Sequence, residues 1–177
     1  MNENYPQILG INADFFFIFA FSASLRFIFF KGVNSLNQLF AGTWTLVASI
    51  FRTADGPSTY PLGEQTEGML MYDDAGNMAA QLMRPQRPLF LSGDTEQARE
   101  AKVAAAYQGY TAYCGRYTIH PEQGIIVHHV RASLNPNWVG SDQTRYFQFS
   151  QQNQRLTLTT PPLGREGIVG ELIWQRL

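Results

Sequence analysis

Tyr110-Thr-Ala-Tyr113-Cys-Gly-Arg-Tyr117, Ile125-Ile-Val-His128-His129-Val130-Arg131 and Asp142-Gln143-Thr-Arg145-Tyr-Phe147-Gln-Phe149 are the three segments on which the reading of this chain turns. Each alternates in character with a period of two, the spacing of a strand with one buried face. Pro121-Glu122-Gln123-Gly124 and Asn135-Pro136-Asn137 separate them, and both carry the residue types of turns. Strands are therefore predicted over residues 111–119, 124–133 and 142–150.

Outward from this centre the pattern repeats. Branched and aromatic residues over 42–51 predict a strand that ends in Asp55-Gly56-Pro57. Residues 68–73 and 77–84 read as a hairpin across Asp74-Ala75-Gly76, and Pro85 and Pro88 stop further pairing. Residues 95–107 read as a helix, with Asp94 or Thr95 at its N-cap and an alanine-rich body. Two more strands, 155–160 and 168–176, flank Pro161-Pro162-Leu163-Gly164. Residues 34–40 are a helical or irregular lead-in. The sum is an all-β chain with one short helix, its eight short strands antiparallel to their neighbours. An up-and-down barrel is preferred to a sandwich, because closure removes both exposed edges.

The bulk numbers narrow the function. The chain has 177 residues and a formal net charge of -1, with its basic residues scattered, so it offers no electrostatic footprint for nucleic acid. Its single cysteine, Cys114, forms no intramolecular disulfide and excludes thiolate metal clusters. His128 and His129 are adjacent and point to opposite faces of a strand, so they do not ligate one ion from the same side. No metal and no cofactor is expected. Serine elbow, phosphate loop and dinucleotide fingerprint are all missing from the sequence.

Residues 1–33 break with the rest, since eight of the thirteen phenylalanines fall between Phe15 and Phe30. A spanning helix would need roughly 20 apolar residues, and Arg26 interrupts a shorter run. A cleavable signal would need a basic leader, whereas Glu3 and Asp14 stand here. The favoured expectation is that translation begins at Val33 and that the protein is cytoplasmic, with residues 34–177 forming the barrel. Anchoring to a membrane through residues 14–31 is the alternative.

Several motifs together carry a resemblance: Gly42-Thr43-Trp44, Tyr60-Pro61-Leu62-Gly63, Ala80-Gln81-Leu82-Met83-Arg84-Pro85, Tyr110-x-x-Tyr113-x-Gly115-x-Tyr117, His128-His129-Val130, Pro136-Asn137-Trp138-Val139-Gly140, Asp142-Gln143-x-x-Tyr146 and the closing Leu172-Ile173-Trp174-Gln175-Arg176. The chain resembles the bacterial and fungal lipocalin-like domain family over roughly residues 34–177. What the resemblance implies is an eight-stranded calycin-type barrel. Some fungal relatives belong to secondary metabolism, which suggests cyclase or isomerase roles without fixing a catalytic residue. In the similar true lipocalins a Gly-x-Trp tryptophan closes the barrel floor under a basic side chain, so Trp44 is expected to stack with Arg176 or Arg145.

Strand alternation selects the lumen. Gln143 and Arg145 share a face with Phe147 and Phe149; His128 shares one with Ile126, Val130 and Ala132; Tyr113 shares one with Gly115, Tyr117 and Ile119. The candidate ligand-binding residues are Tyr113, Tyr117, His128, Trp138, Gln143 and Arg145. Each also has a plainer reading: wall packing for the tyrosines, a satisfied structural histidine for His128, and a plug over the barrel end for Trp138. A buried Arg145 needs a partner, either Asp142, Glu171 or Asp74 or else a ligand anion. The first functional expectation is a binding protein for a small apolar or amphiphilic molecule. The second is a cofactor-independent isomerase or cyclase with His128 as acid or base, and the third is a barrel filled by its own side chains.

Overall fold

Residues 32–53 and 56–177 are described by the computed structural model. Helix α1 (Gly32–Phe40) leads into β1 (Gly42–Arg52), and β2 (Glu67–Tyr72) and β3 (Asn77–Met83) follow as a hairpin. Helix α2 (Glu96–Gln108) precedes β4 (Tyr110–His120), β5 (Ile125–Ser133), β6 (Asp142–Ser150), β7 (Arg155–Thr159) and β8 (Val169–Arg176). The strands form one closed barrel in sequence order, every neighbour antiparallel, with β8 returning to pair β1. The N-terminal readings rest on residues 14–31, which lie outside the described residues. Among the described residues no helix is long and apolar enough to cross a membrane.

Because the strands run up and down, the connections sort to two ends. Residues 73–76, 121–124 and 151–154 are tight turns at one end, where α1 also enters. Residues 56–66, 84–109, 134–141 and 160–168 belong to the long connections at the other end, the mouth. Local chemistry explains both. At the closed end Asp73 accepts from the backbone N–H and the side-chain amide of Asn77, each at 2.7 Å, which locks the hairpin turn. At the mouth, α2 is capped by the Thr95 hydroxyl, which accepts from the Ala98 N–H at 3.3 Å. Nothing on α2 is fully buried, so it is an excursion from the barrel and not part of its core.

The floor is aromatic. Phe40, wholly buried, comes from α1 into the barrel interior, with ring centroids 5.0 Å from Phe147, 4.9 Å from Phe149 and 5.6 Å from Tyr72. Trp44, also wholly buried, donates its indole N–H to the Phe40 carbonyl at 2.9 Å. Arg176 stacks 4.1 Å over the Trp44 ring and donates to the carbonyls of Leu39 (2.6 Å) and Ala41 (2.7 Å). It therefore caps the C-terminal end of α1 as well as the tryptophan. Of the two basic partners expected for Trp44, Arg176 is the one; Arg145 lies elsewhere.

Two bulges adjust the alternation. In β1 the pairing with β8 skips Val47, which is exposed. In β5 the pairing with β4 passes from Val130 to Ala132, leaving Arg131 extra. Past this bulge Ala132 turns outward and Ser133 comes opposite Tyr113, so the expected inward place of Ala132 is corrected. His128 lies before the bulge and keeps its inward place. Gly115 makes the bulge possible: a Cβ there would sit 2.0 Å from the His129 carbonyl oxygen and 3.0 Å from the Arg131 nitrogen, both backbone atoms. Gly115→Ala is therefore expected to cost about 1–3 kcal/mol or more in urea unfolding, as overpacking does. An unchanged midpoint would mean that the bulge does not need the glycine.

Candidate functional site

β5 carries Ile126, His128 and Val130 inward, all nearly inaccessible to solvent. His128 is 1% exposed and stands opposite Tyr117 on β4 and Gln143 on β6. Both ring nitrogens are engaged: Nε2 lies 2.7 Å from the hydroxyl of Tyr72 and Nδ1 lies 3.0 Å from that of Tyr113. Tyr72 reaches across the interior from β2, so the histidine ties opposite walls of the barrel together. Burial, then the charge of Arg145 and then that of His129, push the His128 imidazole down to about 3 from its ordinary 6.5. It is neutral throughout the physiological range. Burial also holds the Tyr72 phenol well above its ordinary value and raises that of Tyr113, so both keep their protons.

Arg145 stands on the inward row of β6 between Gln143 and Phe147. Its Nη1 donates to the carbonyl of Thr144 at 2.7 Å. The guanidinium lies beside the Tyr113 hydroxyl, and its positive charge works against the upward shift of that phenol. Gln143 donates from Nε2 to the Ser141 hydroxyl at 3.1 Å, at the edge of the mouth. Trp138 sits on a short 3-10 turn in the same mouth loop, its ring edge-on to Tyr113 at 5.5 Å between centroids. Tyr113, His128 and Arg145 are thus brought together, with Trp138 over them and Gln143 beside them.

Tyr117 is placed differently. Its ring packs 4.9 Å from that of Tyr72, and its hydroxyl donates to the Asp73 carbonyl at the closed end, 2.7 Å away. Burial, with the nearby charges of Asp73 and Asp74, pushes this phenol up to about 12. It supports the cluster from below while its polar tip points away. Tyr72, by contrast, belongs to the cluster and escaped the sequence reading. On β2 the exposed Met69 and Met71 are as apolar as the buried Leu70 and Tyr72, so alternation gives no sign of which row faces in. The Trp174 indole N–H is also buried on the interior and finds no acceptor among the described residues.

The interior is graded along its length. Phe40, Trp44, Tyr72, Tyr117, Phe147, Phe149 and Trp174 crowd the closed half. Towards the mouth the inward positions include Ser49, Ala80, Leu82, Ser133, Leu158 and Leu172, smaller or aliphatic, alongside the rings of Phe51 and Tyr113. The inward side chains of β6, from Gln143 to Phe149, remain only partly buried.

A floor sealed by aromatic rings, a mouth ringed by long loops and a tyrosine–histidine–arginine cluster between them define an up-and-down barrel with a polar group set into its interior. The chain belongs to the lipocalin-like domain family, whose model matches residues 41–177. It is similar to the 4'-hydroxy-3'-methoxypropiophenone carrier protein of Aspergillus oryzae (strain ATCC 42149 / RIB 40), with 34% identity over 114 residues, covering 56% of this chain and 96% of that one. Phe40, which fills the floor, stands just before the stretch that the family model matches.

Proposed function

We propose that this barrel holds a small amphiphilic molecule in its interior, with its apolar body along Leu82, Leu158 and Leu172 and an acceptor oxygen turned to Tyr113, Arg145 and Gln143. The observation that carries this reading is the polar cluster itself, set into the wall of a largely apolar interior. A barrel that only needed filling would be served at least as well by apolar side chains of the same volume, since buried polar groups and charges seldom add stability. Apolar walls with a few convergent polar groups are what small-molecule sites consist of. The smaller inward residues near the mouth and the partly buried row on β6 support a ligand entering from that end. Trp138, edge-on to Tyr113, is the natural cover.

The relative's name adds a ligand class by analogy. It states carriage of a phenolic aryl ketone, a molecule with one apolar ring and acceptor oxygens at both ends. Holding is favoured over conversion by His128: an imidazole pushed down to about 3 is a weak base at neutral pH. A cofactor-independent isomerase or cyclase would require that histidine to gain basicity when substrate binds.

Titrating the protein with phenolic aryl ketones and medium-chain fatty acids, read by quenching of tryptophan fluorescence, tests the reading. At least one class is expected to bind, and Tyr113→Phe is expected to weaken it about tenfold, the worth of one hydrogen bond of about 1.4 kcal/mol. Turnover of a bound compound, followed by mass spectrometry, would select the enzymatic reading. No binding across both classes, with no molecule co-purifying in native mass spectrometry, would leave the cluster as wall structure.

A further inference from the structure

His128, Tyr72 and Tyr113 hold three protons between them. A neutral imidazole has one N–H, so one phenol donates to the ring and the other accepts from it. We take the tautomer in which Tyr72 donates to Nε2 and Nδ1–H donates to Tyr113, the arrangement that the shorter and the longer distance suit. At 2.7 Å, Tyr72 and Nε2 match a hydroxyl donating to nitrogen; at 3.0 Å, Nδ1 and Tyr113 match an N–H donating to oxygen. Two protons are then used within the cluster, and the third, on Tyr113, is left over. It sits on the phenol nearest the mouth, under Trp138 and beside Arg145.

Arg145 brings a full positive charge to the same point. Of the carboxylates that might answer it, Asp142 pairs with His129 at 2.7 Å, and Glu171 pairs with Arg52 at 3.5 Å. Asp74 lies exposed on the closed-end turn, where its carbonyl accepts from Asn37. The remaining ion pair among the described residues joins Lys102 to Asp94, and none includes Arg145. The shifted groups that feel the guanidinium charge are the Tyr72 and Tyr113 phenols and the His128 imidazole. Arg145 is only partly buried, so its guanidinium, without a carboxylate partner, remains open to an incoming anion.

We infer that the interior site is an anion site, taking a small ionised oxygen acid, either a carboxylate or a phenol acidified by a conjugated acceptor group, whose oxygen meets both the Arg145 guanidinium and the spare Tyr113 proton. This rests on the barrel holding a ligand at all, and it decides the ligand's charge state. The cluster discriminates by donor count. An anionic oxygen accepts from both groups at once, in bonds that are charge-assisted. A neutral hydroxyl would bring a further proton to a point already supplied with donors.

4-Nitrophenol is the probe, because its neutral and ionised forms absorb at different wavelengths and both are populated near neutral pH. At fixed pH the protein is expected to raise the phenolate band. Arg145→Gln is expected to weaken phenolate binding about ten- to a hundredfold, the range for losing a charge-assisted hydrogen bond, and Arg145→Lys to retain most of it. A fall in the phenolate band, or equal behaviour of the wild type and Arg145→Gln, would overturn the inference. N-phenyl-1-naphthylamine, a neutral apolar fluorophore, is run alongside. If it lights up while the phenolate band stays still, the barrel binds ligands and the anion inference fails alone. If neither probe binds, the barrel reading fails and takes the inference with it. A cooperative urea transition of the Arg145→Gln variant, like that of the wild type, shows that this variant is folded.

Discussion

Between pH 7 and pH 4.5 the free energy of unfolding is expected to fall by about 2–3 kcal/mol on account of His128 alone, and by about 4 kcal/mol once the pH reaches 3. The magnitude follows from an imidazole that titrates at about 3 when folded and at 6.5 when unfolded, at about 1.4 kcal/mol per pH unit. The direction follows from which state binds the proton. Below 6.5 the unfolded chain takes it up and the folded chain refuses it, because charging the ring would place a cation beside Arg145 in a buried slot. The contribution of neutral His128 is therefore intact above pH 6.5 and is lost as the pH falls towards 3. Carboxylates held below their ordinary 3.8, Asp73 and Asp94, add their own acid loss only at lower pH. Urea titrations at intervals from pH 7 to 4.5, on the wild type and on His128→Gln, measure the effect. Glutamine keeps one donor and one acceptor for Tyr72 and Tyr113 but does not titrate, so the variant should lose most of the slope. A wild type as steep as the variant would show that His128 is not held neutral by the fold.

Phe40→Ala is expected to destabilise the protein by about 3–5 kcal/mol, the usual cost of emptying a buried phenylalanine site. The site has little freedom to collapse. Phe147, Phe149 and Tyr72 surround the ring at 5.6 Å or less, and the Phe40 carbonyl is pinned by the Trp44 indole and bracketed by the two Arg176 bonds. With the neighbouring backbone held, the missing ring leaves a void between aromatic faces, so dispersion contacts are forfeited as well as burial. Phe40→Leu keeps most of the volume and should cost under about 1.5 kcal/mol. Equal urea midpoints for Phe40→Ala and the wild type would mean that α1 does not seal the floor.

The two positions differ in how legible they were. His128 announced itself, because the period-two pattern of β5 sets it with Ile126 and Val130, and a histidine on an apolar row invites a partner. Its partners did not. Tyr113 stood on the neighbouring strand within reach, but Tyr72 comes from three strands away across the interior, a distance along the chain of 56 residues. The apolar outer row of β2, Met69 and Met71, concealed which side of that strand faced in. Arg145 was placed inward correctly by its phenylalanine neighbours, while Tyr117, equally inward, sends its hydroxyl to a backbone carbonyl that only the closed barrel brings near. The bulge at Arg131 was equally hidden. It depends on a carbonyl of β5 sitting where a Cβ of Gly115 would be, a contact between two strands that neither encodes separately.

By itself the sequence determined the eight strands, their antiparallel order, the capped helix between the third and fourth strands and the inward rows that carry His128, Gln143 and Arg145. These depend on alternation, turn residues and caps, which act over a few neighbouring residues. Only the tertiary structure decided that Arg176 and not Arg145 stacks on Trp44, that Phe40 fills the floor, that Tyr72 completes the hydrogen bonds of His128, and that Arg145 is left without a carboxylate. Those outcomes depend on which side chains meet when β8 closes against β1 and the walls come face to face. Closure fixes distances between residues far apart in the chain, and no local periodicity contains them.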